Sequence, residues 1–394
     1  MHLRNLSDSI MIKTEILKEG FAKYFGTGEP LFFTAPGRIN IIGEHTDYNG
    51  GFVLPASIDK AITIAIKSNG TDKVNLVAID KDYDKCTFEI GGGKPQQMWA
   101  CYFYGVIEEM KERGKVPGGF DAIFGGDVPL GAGMSSSAAL ESCVGTALNS
   151  IFNLGFTKEE LAKIGQMTEH HYIGVRCGIM DQFASLFGQK GHVVRLDCRS
   201  LEYTIVPFDP KGIRVVLIDT MVKHTLASSE YNVRRAQCEE GVGVIKKYRP
   251  EVELLRDVTM EELEAHKAEI DPVSYKRCAF VINENERLMK ACAAMEKDDF
   301  VEVGKQIYAA HEGLSKEYGV SCDELDFIVD IAHTHPGVYG ARMMGGGFGG
   351  CVIALVKEDE ADAYIADVKK QYLAKFNKDP RVIEVEISDG ARQC

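Results

Sequence analysis

Three short segments constrain this chain more than anything else in it, because each sets polar side chains or bare backbone where a core would otherwise run. They are Gly37-Arg38-Ile39-Asn40-Ile41-Ile42-Gly43-Glu44-His45-Thr46-Asp47, Gly131-Ala132-Gly133-Met134-Ser135-Ser136-Ser137 and Gly345-Gly346-Gly347-Phe348-Gly349-Gly350. The first offers carboxylates alternating with donors, which suits a polyhydroxylated molecule. The other two offer glycines, which let main-chain N–H groups approach a polyphosphate with no Cβ in the way. A fold that uses all three must bring distant parts of the chain together, and one phosphate-transfer site is the expectation.

At 394 residues, 45% of them hydrophobic, the chain is long enough for two packed cores, so two domains with a cleft are expected. A net charge of -13 argues against DNA, RNA or an anionic membrane as the main partner, since those need a concentrated basic surface. The 11 cysteines are scattered, with no C-x-x-C pair, which disfavours a zinc cluster or a short disulfide framework and suggests reduced thiols. No run of about 20 apolar residues occurs, as a spanning helix would need. The N-terminus lacks a secretory core, so the chain is expected in the cytoplasm. Met11 is a candidate alternative start after the polar tail Ser7-Asp8-Ser9.

Apolar spacing at Ile16, Leu17, Phe21 and Tyr24 predicts a helix over 11–26. Strands follow at 31–35, 39–42, 61–66 and 74–78, then a helix over 99–111, a strand at 120–124 and a long helix over 138–152. Thr157 reads as the N-cap of a helix reaching Tyr172. Strands return between 192 and 218, residues 229–335 are helix-rich, and strands at 352–356 and 382–387 close the chain. Strands followed by helices, without strict alternation, favour α+β over a doubly wound sheet. The expected domains are 11–205 and 206–394.

The serine-glycine segment sits between a strand and a helix, so its amides face the positive end of a helix axis. It is not a Walker loop, because residues 116–157 contain no Lys or Arg, and Ser136 stands where a dinucleotide fingerprint needs a third glycine. Phosphate charge there must be met by backbone dipoles, by Mg2+ and by groups from elsewhere. Close helix packing with serine caps is the plainer alternative. Asp181 is a lone carboxylate in the apolar run Cys177-Gly178-Ile179-Met180-Asp181-Gln182-Phe183, a setting where a charge usually has a partner or a job. If the partner is Arg38, Asp181 stays ionised and can take a proton from an attacking hydroxyl; a structural ion pair is the alternative. Glu169, on a predicted helix, could join Ser137 as a Mg2+ ligand.

Taken together these residues resemble the galactokinases of the GHMP small-molecule kinase superfamily. Residues 37–51 are similar to that family's sugar-recognition signature, 129–139 to the superfamily ATP loop and 344–351 to its third motif, with further likeness at 99–102, 177–183, 197–202 and 228–231. The resemblance implies an α+β fold in which a ribosomal-protein-S5-like N-terminal domain faces a ferredoxin-like C-terminal domain. It implies ATP-dependent phosphorylation of α-D-galactose at the anomeric hydroxyl, with Asp181 as catalytic base and Arg38 as the cation that stabilises the transition state. Glu44, His45, Thr46 and Asp47 would bind sugar hydroxyls, with Gly178 and Tyr231 completing the pocket. Gly131, Ala132, Gly133, Met134, Ser135, Ser136 and Ser137 would hold the ATP phosphates, and Ser137 with Glu169 would hold Mg2+. Trp99 and Tyr102 would flank the adenine, although an aromatic helix face serves equally well as core.

Ala132 and Met134 replace a commoner Gly and Leu without removing a ligand, and the complete run Ser135-Ser136-Ser137-Ala138-Ala139 favours catalysis over a sugar sensor. A kinase acting on N-acetylgalactosamine and a non-catalytic galactose- and ATP-binding sensor stay open as alternatives. The expected partners are the sugar and ATP, with no nucleic acid, membrane or obligate protein partner.

Overall fold

The computed structural model describes residues 6–26, 28–208, 211–222 and 227–394; Met1 and the side chains of residues 6–13, Met11 included, lie outside what is described. The first helix spans Leu6–Phe25, so it takes in the segment Ser7-Asp8-Ser9 that was expected to be a tail. Leu17 and Phe21, one turn apart, are buried against Ala65, Val77 and Ile123, which is why the helix docks on a sheet.

Thirteen strands occur among the described residues: β1 (Leu31–Asn40), β2 (Phe52–Val53), β3 (Pro55–Ser68), β4 (Lys73–Ala78), β5 (Asp84–Glu89), β6 (Phe120–Gly126), β7 (His192–Asp197), β8 (Tyr203–Pro207), β9 (Ile213–Asp219), β10 (Val338–Met343), β11 (Cys351–Lys357), β12 (Arg381–Glu384) and β13 (Arg392–Gln393). They form a six-stranded sheet in the order β13-β1-β3-β6-β4-β5, a four-stranded sheet β10-β11-β9-β12, and a small sheet β2-β7-β8. The architecture is α+β, as the run of strands followed by helices predicts.

The two strands expected at 31–35 and 39–42 are one strand, whose pairing with β3 slips between Pro36 and Arg38. Proline has no N–H for the ladder, so a bulge here is expected. The bulge brings Gly37 against the serine-glycine loop, where a Cβ would stand 2.6 Å from the Met134 carbonyl oxygen. The Arg38 amide uses that closeness, donating to the Met134 carbonyl at 3.1 Å.

Helix Ser136–Ile151 buries Ala139, Cys143, Val144, Ala147 and Leu148 in the larger core, a stripe at helical spacing. Thr157 caps helix Lys158–Thr168 as expected, in a reciprocal capping box with Glu160. That helix ends at Thr168 and widens into a π-turn, Glu169–Ile173, instead of continuing to Tyr172 as a regular helix. Helix Met180–Phe187 places Asp181 in its first turn. The last strand, β13, returns to pair with β1, so the end of the chain closes the edge of the first sheet. The second core lies between the four-stranded sheet and its helices, with Tyr318, Tyr364 and Tyr372 fully buried. No helix among the described residues is long and apolar enough to cross a membrane.

Candidate active site

Two cavities meet at Gly346. One, of about 290 Å³, is lined by side chains including Arg38, Glu44, His45, Asp47, Ser137, Glu169, Asp181 and Tyr231. The other, of about 430 Å³, is lined by Gly131, Gly133, Met344 and the third glycine segment. The first is lined by charged and polar side chains, the second by glycines together with the apolar Leu130, Val222, Met344 and Phe348.

At the first, Arg38 Nε donates to Asp181 Oδ1 at 2.8 Å, with the arginine 4% and the carboxylate 32% exposed. The Arg38 guanidinium also donates to the Gly133 carbonyl, and the Ser135 hydroxyl donates to the other oxygen of Asp181. One ion pair thus ties the bulged strand, the serine-glycine loop and helix Met180–Phe187 together. Burial alone would lower the Arg38 pKa; the nearby Asp181, Glu44 and Asp47 outweigh it, so the guanidinium is held charged.

Glu44 is buried, and its Oε1 accepts from Arg342 Nη1 and Nη2, each at 3.1 Å, and from the Gly345 amide at 2.8 Å. Arg342 itself has no exposed surface and also donates to the carbonyls of Ile41 and Asn40. This pair joins the first segment to the third. Asp47 sits against Gly178, where a Cβ would fall 1.9 Å from the Asp47 carboxylate, so only glycine fits. Burial, then the negative charge of Asp181, pushes the Asp47 pKa up to about 7 in spite of a hydrogen bond from the Tyr48 amide. His45 has φ of 63°, and burial followed by the charges of Arg234 and Arg342 lowers its ring pKa to about 3, so it is neutral.

Glu169 lies on the π-turn facing Ser137. Burial raises its pKa to about 7 and the Ser137 hydroxyl partly offsets this. Glu141 lies nearby, fully buried and held above the usual carboxylate range by burial and by Glu169; its Oε2 accepts from Gln182 at 2.9 Å. No group of three or more His, Cys, Asp or Glu that could hold a metal occurs among the described residues. A pair such as Ser137 and Glu169 still fits Mg2+, which takes one or two protein oxygens and completes its shell with water and phosphate.

In the serine-glycine loop Gly131, Gly133 and Ser135 adopt positive φ (74°, 76° and 57°). Ala132 and Met134 are fully buried, so their side chains anchor the loop while its backbone faces the cavity. Ser136 and Ser137 open the following helix.

Of the expected residues, Ala132, Met134, Ser135 and Ser136 support the loop without lining either cavity, and Thr46 and Trp99 stand apart from both. Thr46 is fully buried and lines neither cavity; its hydroxyl donates to the carbonyls of Gly43, at 2.9 Å, and Phe52, so it shapes the turn. Trp99 also lines neither cavity: its indole N–H donates to Asp84 at 2.9 Å and its ring packs on Phe124. Tyr102 does reach the first cavity, at its Ser137 and Glu169 end. Arg342 went unnoticed in the sequence, although a lone cation between Ala341 and Met343 is the same signal that drew attention to Asp181.

Residues 19–68 match the galactokinase galactose-binding signature, 101–189 the GHMP kinases N terminal domain and 289–374 the GHMP kinases C terminal domain. The chain is 35% identical to galactokinase from Lactococcus lactis, solved in complex with galactose, over 97% of this chain and 100% of that one, with a TM-score of 0.93. This chain belongs to the galactokinase family. Mevalonate kinase from Methanococcus jannaschii (TM-score 0.64, 20% identity, covering 92% of this chain and 99% of that one) shares the fold. So does a D-glycero-D-manno-heptose 1-phosphate kinase from Bacteriodes thetaiotaomicron (TM-score 0.60, 16% identity, 92% and 98%).

Proposed function

We propose that this galactokinase-family chain transfers the γ-phosphoryl group of ATP to the anomeric hydroxyl of α-D-galactose, giving α-D-galactose 1-phosphate and ADP. The observation that carries the reading is the shared wall at Gly346, which sets the Arg38–Asp181 cavity directly beside the glycine cradle. An acceptor hydroxyl and a polyphosphate seated there would meet with almost no intervening protein.

In this reading the sugar lies among Glu44, His45, Asp47 and Tyr231, with Gly178 leaving room for Asp47 to approach it. Asp181 accepts the proton of the anomeric hydroxyl as that oxygen bonds to the γ-phosphorus and the bond to the leaving ADP oxygen breaks. Arg38 orients Asp181 through the Nε–Oδ1 hydrogen bond and offsets charge that develops on the transferring group. The Ser135 hydroxyl holds the second carboxylate oxygen, which fixes the orientation of the base. The backbone at Gly131, Gly133 and the start of helix Ser136–Ile151 cradles the phosphates, a role that needs no lysine.

Ser137 and Glu169 are the residues that would hold Mg2+. A carboxylate kept partly protonated by burial gains its full charge when a divalent cation arrives, and the cation supplies charge neutralisation to the phosphates. The free thiols of all 11 cysteines fit a cytoplasmic enzyme.

The test is coupled ADP release from purified protein with MgATP and galactose, run beside N-acetylgalactosamine. Turnover with galactose at least about tenfold better in kcat/KM is expected, corresponding to roughly 1.4 kcal/mol of discrimination. Galactose binding without ADP release would identify a sensor, and a preference for the acetamido sugar would identify the other acceptor.

A further inference from the structure

His45 is a cavity-lining group whose hydrogen-bonding role its charge leaves open, since a neutral imidazole has one N–H and can offer the ligand either a donor or an acceptor. Its Nδ1 is already engaged by the protein. It meets the Tyr48 hydroxyl at 2.8 Å, the Tyr48 hydroxyl meets the Tyr318 hydroxyl at 2.6 Å, and the Tyr318 hydroxyl meets Cys238 Sγ at 3.5 Å. All four residues are buried, they come from three separate regions of the chain, and neither tyrosine nor Cys238 lines the cavity. Cys238 is backed in turn by the neighbouring Cys278 thiol.

Such a chain can run in two directions. If Cys238 donates to Tyr318, Tyr318 to Tyr48 and Tyr48 to Nδ1, the ring proton sits on Nε2. In the reverse direction the chain ends with a phenol O–H directed at a thiol sulfur, a weak acceptor, and Nε2 is left bare. Donor and acceptor strength break the tie. A phenol O–H is a stronger donor than an imidazole N–H and an imidazole nitrogen a stronger acceptor than a phenol oxygen, so at 2.8 Å the favoured arrangement has the Tyr48 hydroxyl donating to Nδ1. The ring proton then falls on Nε2, which has no hydrogen-bond partner among the described residues.

We propose that Cys238, Tyr318 and Tyr48 form a positioning relay that fixes His45 in its Nε2–H tautomer, so that the histidine meets the bound hexose only as a donor and selects for an acceptor oxygen at that point. The proposal rests on the reading of this cavity as the sugar pocket. Tyr48 and Tyr318 are positioning residues here. They act through His45, beyond reach of the substrate.

Protein labelled with 15N-histidine reports the tautomer directly, with His45→Asn identifying the resonance. The wild-type protein should show His45 protonated at Nε2 alone. Tyr318→Phe, which keeps the ring packing, should give a mixture of tautomers and raise the galactose KM by about tenfold, the loss expected for one oriented hydrogen bond, with the MgATP KM unchanged and kcat altered less than about threefold. Tyr48→Phe should show the same split more strongly. An Nδ1–H tautomer in the wild type overturns the relay, as does Tyr318→Phe with wild-type tautomer and galactose KM. Should Tyr318→Phe fail to fold, the wild-type tautomer alone still decides. Wild-type turnover with an Nδ1–H His45 would sink the relay and leave the reaction intact. The predicted tautomers in a protein that binds no galactose by calorimetry would sink the reaction reading, and with it the sugar-facing half of this proposal.

Discussion

The two cavities that adjoin at Gly346 are built from different materials. The Arg38–Asp181 cavity is rich in charged and aromatic side chains, most of them buried, and Arg38, Asp181 and Glu44 are held by partners in distant parts of the chain. The glycine cradle is made largely of main chain, with Ala132 and Met134 turned inward and the side chains of Leu130, Val222, Met344 and Phe348 completing an uncharged wall. A sugar differs from its competitors in the direction of each hydroxyl, so reading one takes fixed donors and acceptors. A triphosphate presents the same oxygens in every nucleotide, and oriented amides suffice. The lesson is that side-chain substitutions should damage sugar chemistry selectively, whereas the cradle should respond to backbone changes.

The largest expected break is Asp181→Asn, which keeps shape and removes the base. It should lower kcat by about 10³-fold or more with galactose affinity changed little, measured by steady-state kinetics and calorimetry. Arg38→Ala comes next, at about 10²-fold or more in kcat, because it removes the developing-charge partner and loosens the loop held through the Gly133 carbonyl. Glu169→Gln should act on the nucleotide side alone, raising the MgATP KM by about tenfold.

The sign of the pH effect follows from the raised pKa of Glu169, about 7. As pH falls through that value the carboxylate takes up a proton and loses its hold on a cation, so kcat/KM for MgATP should fall below about pH 7 at saturating galactose, and Glu169→Gln should abolish that limb. For stability the direction is opposite. A raised carboxylate pKa means that the folded state binds more protons than the unfolded between pH 4.5 and about 7, so this group's contribution weakens as pH rises through that window.

The smallest effects fall on residues that line neither cavity. Thr46→Val should cost about 1–2 kcal/mol of stability, by chemical denaturation, because two backbone carbonyls lose their donor. Its galactose KM should stay within about twofold of wild type. Trp99→Phe should leave the MgATP KM equally unmoved.

Much of this was legible beforehand, for identifiable reasons. A lone charge in an apolar run, such as Asp181, needs a partner, and Arg38 was the available cation. Thr157 before Glu159 and Glu160 forecast a cap because the geometry is local. The glycine segments were visible as composition, while their juxtaposition rests on contacts between residues more than two hundred positions apart, which no local pattern encodes. Thr46 was ambiguous because a threonine hydroxyl serves a ligand or its own turn equally well; here the Gly43 and Phe52 carbonyls accept from it. Trp99 was ambiguous because an indole on a helix face packs against core or nucleotide with the same spacing; here its ring packs on Phe124. The β13 strand was hidden by its brevity: two residues carry no alternation. Tyr48, Tyr318 and Cys238 were invisible as a set, since each alone is an ordinary buried residue.

The account turns on where the phosphoryl group goes. Proton and phosphorus NMR of the product formed from galactose and MgATP reads this directly. Phosphorus coupled to the anomeric proton of the α-anomer, formed by the wild type and lost with Asp181→Asn, is the predicted result. Phosphate on another oxygen, or the same product at near-normal rate from the Asp181→Asn protein, would contradict it.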